Sequence, residues 1–496
     1  MSVKQSRPQT LGALDAAAYP ARSVRAEMRR NLIAHLRAGR ALFPGIRGYD
    51  DTVLPGVIHA ILARHDLILL GLRGQAKTRL ARGLIDFLDP LLPVIAGLPL
   101  REHPLAPLSP AGKSLVAEAG KDTPIEWLEP GQRYGEKLAT PDVSIADLIG
   151  DIDPLKAAHR GLDLSDEEVI HYGIIPRTNH GIFCINEVPD LAPRIQVGLL
   201  NILEEQDIQI RGFPLRLPLD VMMVFTANPE DYTNRGSIIT PLKDRIASQV
   251  LTHYPSDIQQ AAAITADQSW LDRGEDLPQV QITPLFAEII EGIAFAGRRS
   301  EYVDQRSGVS ARLSIAAREL LASQVERRLM LCEGAAPRAR IVDTLQLVPA
   351  ITGKVELVYE GEQEGSVKVA RHLIGESLKA AFDRRFPAPL EHRRGAADEE
   401  HGPYSPILRW FAEGRSLELS DHSDERGHEL ALHAVDGLGA LVAQYHPDVD
   451  PVSAVELMEL AIEGLAQYSL LAKEDSAYGA QYVDMLSNMM QDISGR

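Results

Sequence analysis

The stretch LILLGLRGQAKTRLARGL holds the residues best suited to chemistry: Gly71, Gly74, Gln75, Ala76, Lys77 and Thr78 follow an apolar run and precede a helical one. Strand, glycine-rich loop and helix in this order can cradle phosphate on backbone amides. The lysine then reaches β and γ oxygens, and the hydroxyl binds Mg²⁺. The full pattern is Gly-x-x-x-x-Gly-Lys-Ser/Thr, and Ala76 stands where its last glycine belongs. Alanine is the smallest substitute and is tolerated if its φ stays negative. Downstream, GIFCINEVPDL reads as a buried strand that delivers Asn186 and Glu187 at its end. A nucleotide hydrolase needs a carboxylate there to orient and deprotonate the attacking water, which makes Glu187 the candidate base. The preceding position usually carries an aspartate for hydrated Mg²⁺. Asn186 offers a neutral group of similar shape instead, so it is the second candidate metal contact beside Thr78. A third apolar run, VMMVFTAN, ends in Asn228, whose amide can hold a water near a γ-phosphate. Asn-Pro on its own is only a turn signal. Asp244 and Arg245 in ITPLKDRIASQVL, and Arg312 in SGVSARLSIAARELL, complete the set. Taken singly, each arginine reads as a solvated surface charge.

The elements that must position these groups are legible in outline. Residues 1–40 read as an N-terminal helical arm rich in Ala, Leu and Arg. From 41 to 255, short apolar runs alternate with helical segments, as in an α/β domain built on a largely parallel sheet. Strands are expected over Leu67–Leu70, Ile182–Ile185 and Val221–Phe225. Each runs into polar residues, so the functional groups collect at the C-terminal ends of the strands, where open α/β sheets bind ligands. The Pro- and Gly-rich stretch from Pro90 to Pro141 reads as an elaborated loop or insertion. Residues 256–387, with helices around Ala287–Gly297, Leu313–Leu331 and Val367–Phe386, suggest an all-helical lid domain. Residues 388–427 are charged and poor in apolar side chains, as linkers are. A helical C-terminal region over 428–496 closes the chain.

Composition bounds the function. The 496 residues exceed one comfortable core, so about two to four domains are expected. Apolar residues make up 45% and charged residues 24%, an ordinary globular balance. No apolar run approaches the roughly 20 residues of a membrane-spanning helix, and MSVKQSRPQT lacks the apolar core of a signal peptide, so the expected location is cytoplasmic. Cys184 and Cys332 sit in apolar segments and read as core residues, with neither disulfide nor metal-ligand spacing. A net charge of −18 argues against a chain whose main task is to coat nucleic acid.

Order and spacing of these motifs resemble the AAA+ superfamily, and more closely the clade of the magnesium chelatase ATPase subunit and the MoxR-type ATPases. FPGIRGYDD, LIGDIDPLKAAH followed by GIIPRTNHGIFCINEV, TANPEDYTNRGSIITPLKDRI and GKVELVYEGEQEG carry the likeness, which covers about residues 41 to 385. The resemblance implies a P-loop AAA+ core followed by a helical lid, with ATP and Mg²⁺ as cofactors. It implies that Lys77 and Thr78 bind phosphate and Mg²⁺, that Glu187 activates water, and that Asn228 is sensor 1. Arg245 becomes the finger presented to a neighbouring subunit's ATP, and Arg312 the sensor 2 contact. A homo-oligomeric ring, with a hexamer as its expected size, and a protein client, such as one with a von Willebrand A domain, follow from the same likeness. Two alternatives stay open: a genuine magnesium chelatase ATPase subunit, and a nucleotide-responsive scaffold that barely hydrolyses ATP. A transcription activator of the enhancer-binding type shares the fold, but its GAFTGA-like loop is not found.

Overall fold

The computed structural model describes residues 7–153, 155, 159, 161, 169–210, 216–229, 237–274, 276–389, 402–476 and 479–485. It divides into two compact units, Met1–His253 and Tyr254–Arg496. Of the segments that carried the resemblance, most of 154–168 and all of 230–236 lie outside the described residues.

The first unit is built on a five-stranded, wholly parallel sheet in the order Ser248–Leu251, Leu67–Leu70, Val221–Ala227, Gly181–Asn186, Tyr134–Leu138. Every residue of the three central strands is buried, as expected where helices or loops cover both faces of a parallel sheet. Side chains alternate between faces. Ile68, Leu70, Phe183, Ile185, Met223 and Phe225 enter one core, while Leu67, Leu69, Ile182, Cys184, Met222 and Val224 enter another. The expected strands are therefore present, each at least as long as anticipated. Two more were not anticipated, because YGEKL and SQVL lie at the sheet edges and have no continuous apolar run. The Pro90–Pro141 insertion thus supplies a strand of the main sheet. It also holds an antiparallel pair, Leu92–Ile95 with Ile125–Leu128, and the Pro110–Ala119 helix.

Much of the region read as a separate arm belongs to this unit's core. The Val24–Arg37 helix turns Val24, Met28 and Leu32 toward the same core as Leu67 and Met222. Two of its charged residues, Arg25 and Glu27, are buried in pairs. Glu27 accepts two hydrogen bonds from Arg133 at 2.7 and 2.8 Å, with side chains 3% and 0% exposed. Arg25 donates to Asp66 at 2.7 and 2.8 Å, and Asp66 also accepts the Met223 amide at 2.7 Å. Burial pushes the Asp66 carboxyl up, and the adjacent guanidinium opposes that shift.

The second unit has one continuous apolar core running from Val280 to Tyr482. The helices Pro284–Gly297, Arg312–Leu331 and Ser366–Asp383 match the helical segments expected there. The 17-residue helix Pro451–Gln467 packs beside them, and Gly464 makes this possible, since a Cβ there would lie 2.2 Å from Phe382. Glu456 on this helix accepts from Thr283 Oγ1 at 3.0 Å. Burial, reinforced by the nearby charges of Glu459 and Asp450, pushes its carboxyl up to about 7.

Part of the stretch read as a linker is structured, and the C-terminal helices Glu425–His433, Leu438–Tyr445 and Pro451–Gln467 are accompanied by strands. Residues 390–401 lie outside the described residues, but the Ser405–Ala412 helix and the Leu417–Ser420 strand lie within the rest of the stretch read as a linker. That strand joins Gly479–Asp484 and Leu471–Ser476 in a three-stranded antiparallel sheet, so the C-terminal region is not purely helical. In a charged segment, Leu417 and Leu419 alternate inward and hold the strand to the core. Among the described residues, no helix is long and apolar enough to cross a membrane.

Candidate functional site

Because the central strands are parallel and adjacent, their C-terminal ends reach one edge of the sheet together. Leu67–Leu70 passes into the glycine loop, Gly181–Asn186 ends at Asn186 and Glu187, and Val221–Ala227 precedes Asn228. The Gly71 amide donates to the Ala227 carbonyl at 3.1 Å and fastens the start of the loop to the neighbouring strand. Only glycine fits here, since a Cβ on Gly71 would lie 1.9 Å from Thr252 Oγ1 and 2.2 Å from Gln75 Oε1. Gln75 folds back to accept the Thr252 hydroxyl at 2.8 Å, and Gly74 takes φ +75°.

Ala76 departs from the sequence expectation. Its φ is +56° and its ψ +17°, in the left-handed region, whereas the sequence expectation has alanine at negative φ. The loop turns into the Lys77–Gly83 helix through this residue. The missing glycine costs about 1–2 kcal/mol, the usual penalty for a Cβ in that conformation.

Lys77 is 7% exposed, and its ammonium is gathered into the loop. Nζ donates to the Gly71 carbonyl, to the Leu72 carbonyl at 3.0 Å and to Asn228 Oδ1 at 2.7 Å. The lysine and the strand-end amide proposed from sequence therefore meet directly. Thr78 Oγ1 stands 3.5 Å from Asn186 Oδ1, so the two candidate metal contacts also face each other. A hydroxyl and an amide oxygen side by side are hard, uncharged donors, suited to a hydrated Mg²⁺ that keeps most of its waters. Among the described residues there is no group of three or more His, Cys, Asp or Glu that could hold a metal without such help.

Glu187 follows Asn186 in a left-handed backbone, φ +56° and ψ +50°. Its amide donates to Thr226 Oγ1 at 3.1 Å, and the same hydroxyl donates to Asn186 Oδ1 at 3.2 Å. Behind them, Cys184 is fully buried, and burial pushes its thiol up to about 12. It is core, as expected. Cys332, by contrast, is half-exposed at the end of its helix and donates to the His422 carbonyl at 3.2 Å.

Within the first unit, Arg245 makes its contacts away from these groups. Arg245 ends the Thr240–Arg245 helix; its Nε donates to Glu204 Oε2 at 2.7 Å and its Nη1 to the Pro241 carbonyl at 3.0 Å. Arg312 belongs to the second unit, where it is exposed at the first turn of the Arg312–Leu331 helix. Three residues near the loop escaped the sequence reading. Thr252 braces Gln75, Thr226 joins two strand ends, and the Tyr49 hydroxyl lies 2.9 Å from both the Gln75 and His253 carbonyls. A lone hydroxyl inside the apolar run VMMVFTA was the available signal for Thr226. Nothing in the sequence marks Tyr49 or Thr252.

No protein-family model matches the chain. A stretch of 105 residues is 30% identical to the hydrogenase transcriptional regulatory protein HoxA of Cupriavidus necator, which is 20% of this chain and 22% of that protein. The chain thus spans about a fifth of the length of that relative. Among solved structures, a cryo-EM-based structure of the complex between subunits BchI and BchD of magnesium chelatase is 17% identical with a TM-score of 0.35. It aligns with 65% of this chain and 98% of its own. NtrX from Brucella abortus in complex with ATP is 13% identical with a TM-score of 0.32, over 61% of this chain and 49% of its own. With likenesses this distant, function is read from the side chains at the strand ends.

Proposed function

We propose that this chain is an ATP-hydrolysing AAA+ motor, of the kind found in MoxR-type and magnesium chelatase-like ATPases, that works as a cytoplasmic ring to remodel or activate a protein partner. The observation that carries the reading is the meeting of Lys77 with Asn228 at 2.7 Å, beside Thr78 and Asn186 at 3.5 Å, on one edge of a parallel sheet. ATP would replace the loop carbonyls as acceptor for the Lys77 ammonium, with the loop amides from Gly71 to Thr78 around the β-phosphate. Thr78 and Asn186 would hold Mg²⁺, which supplies charge neutralisation for the phosphate oxygens. Glu187 takes the proton of the attacking water, and Asn228 holds that water in line with the γ-phosphate. Arg245 is assigned to a neighbouring protomer's nucleotide, and Arg312 to sensing that nucleotide from the lid. Such a trans finger raises hydrolysis by about 10³-fold or more, so an isolated protomer turns over slowly. A hexamer and a client with a von Willebrand A domain extend this reading.

A second reading, a nucleotide-responsive scaffold, draws on Asn186, which removes one negative charge from the metal's surroundings. The likeness to a transcriptional regulatory protein is local, and no GAFTGA-like loop accompanies it. Lys77→Ala tests the assignment of the loop: deleting a charge-assisted contact to phosphate should weaken ATP binding by about tenfold or more in equilibrium titration. Unchanged affinity in a folded variant rejects the phosphate-binding loop.

A further inference from the structure

The Val221–Ala227 strand is apolar except for one hydroxyl, and that hydroxyl is fully engaged. Thr226 is 1% exposed; Oγ1 accepts the Glu187 amide at 3.1 Å and donates its own hydrogen to Asn186 Oδ1 at 3.2 Å. One atom therefore holds both the side chain facing Thr78 and the backbone of the residue assigned as base. Regular pairing does not reach this point, since the last partners between the two strands are Ile185 and Phe225. Beyond them, Glu187 takes its left-handed turn, a conformation that disfavours residues with a Cβ and persists where the surroundings enforce it. The Thr226 hydroxyl is a contact to that turn from the neighbouring strand. Valine would fill nearly the same volume and suit a strand equally well, so what the hydroxyl adds at this position is its two bonds rather than packing.

Building on the ATPase reading above, we propose that Thr226 is a positioning residue for hydrolysis: its hydroxyl locks Asn186 toward Thr78 and aims Glu187 at the attacking water, without itself touching nucleotide. A base displaced by even an ångström loses much of its effect, by about 10²-fold in favourable cases. Nucleotide affinity, set by Lys77 and the loop amides, does not depend on this contact.

The test uses the full chain with Thr226→Val, Thr226→Ala and Thr226→Ser, each followed by thermal unfolding, ATP titration, steady-state hydrolysis and hydrogen exchange at the Glu187 amide. Thr226→Val should lower kcat by about tenfold to 10²-fold while KM and the ATP dissociation constant move less than about threefold. Exchange at Glu187 should quicken, and Thr226→Ser should restore both rate and protection. Thr226→Ala makes the same two losses in a smaller side chain if the valine variant does not fold. Wild-type kcat in a folded Thr226→Val or Thr226→Ala overturns the positioning role, as does a serine variant no better than either. A wild-type chain that neither binds nor hydrolyses ATP overturns the ATPase reading itself, an outcome visible before any variant is compared.

Discussion

Asn186→Asp restores the charge usual beside the metal, and the structure sets its size. Asn186 is 8% exposed, and its Oδ1 takes the Thr226 hydroxyl at 3.2 Å and faces Thr78 at 3.5 Å. A carboxylate in the same shape keeps both contacts, since it too accepts. What changes is the strength with which it holds the waters around Mg²⁺. Hydrogen bonds to a charged partner are worth about 1.5–3 kcal/mol against about 0.5–1.5 for neutral ones, a difference near 1 kcal/mol. At about 1.4 kcal/mol per decade, Asn186→Asp should lower the Mg²⁺ concentration for half-maximal hydrolysis about fivefold. The assay is a Mg²⁺ titration of ATPase rate on both proteins at fixed ATP. The scaffold reading gives a different pattern, in which wild type is nearly silent at every Mg²⁺ level and only the aspartate variant turns over. Superimposable curves would refute the reasoning, because they would mean that Asn186 does not face the metal.

Arg245→Ala and Glu187→Gln chains, each nearly inactive alone, should regain part of the activity when co-assembled, because some interfaces then pair an intact base with a neighbour's arginine. No recovery in mixed rings of demonstrated composition would remove Arg245 from the role of finger. In the second unit, Glu456 keeps its proton up to about pH 7, whereas an unfolded glutamate releases it near 4.5. The folded chain therefore binds the extra proton between these values, and this contribution to stability is full below about 4.5 and fades as pH rises through 7. Glu456→Gln keeps an acceptor for Thr283 and should stabilise the second unit by about 1–2 kcal/mol at pH 8, after discounting for partial solvent screening, with little effect at pH 5. Equal gains at both pH values in denaturant titrations would show that the carboxyl is not the cause.

The sequence was most readable where burial was most complete. LILL, GIFCIN and VMMVFTA are buried along their whole length, so apolar runs and strands coincide. YGEKL and SQVL sit at sheet edges, half in solvent, where polarity hides a strand. The same masking concealed Leu417–Ser420 inside a charged stretch. At the site, the charged and amide residues of recognisable motifs are legible, whereas Thr226 is hidden within an apolar run and residues brought in from afar leave no local mark. Glu204, which engages Arg245, lies 41 positions earlier, and Tyr49 reaches the Gln75 carbonyl across 26. The left-handed turn at Ala76 was hidden for another reason: backbone dihedrals at a loop-to-helix junction are set by closure of the loop, and alanine gives no sign of them.

The buried pairs made by the Val24–Arg37 helix have a consequence for how the molecule can be divided. A chain begun at residue 41 would leave Arg133 without Glu27 and Asp66 without Arg25, the arginine keeping only its contact to the His180 carbonyl among those named and the acid its Met223 amide. Orphaning one member of a buried pair costs about 3–5 kcal/mol, and doing so twice approaches the whole stability of an ordinary domain, about 5–15 kcal/mol. The Val24–Arg37 helix thus acts as a keystone rather than an appendage. The smallest separable piece of the first unit starts upstream of residue 41, and the helix that begins it packs into the same core as the sheet that carries the site.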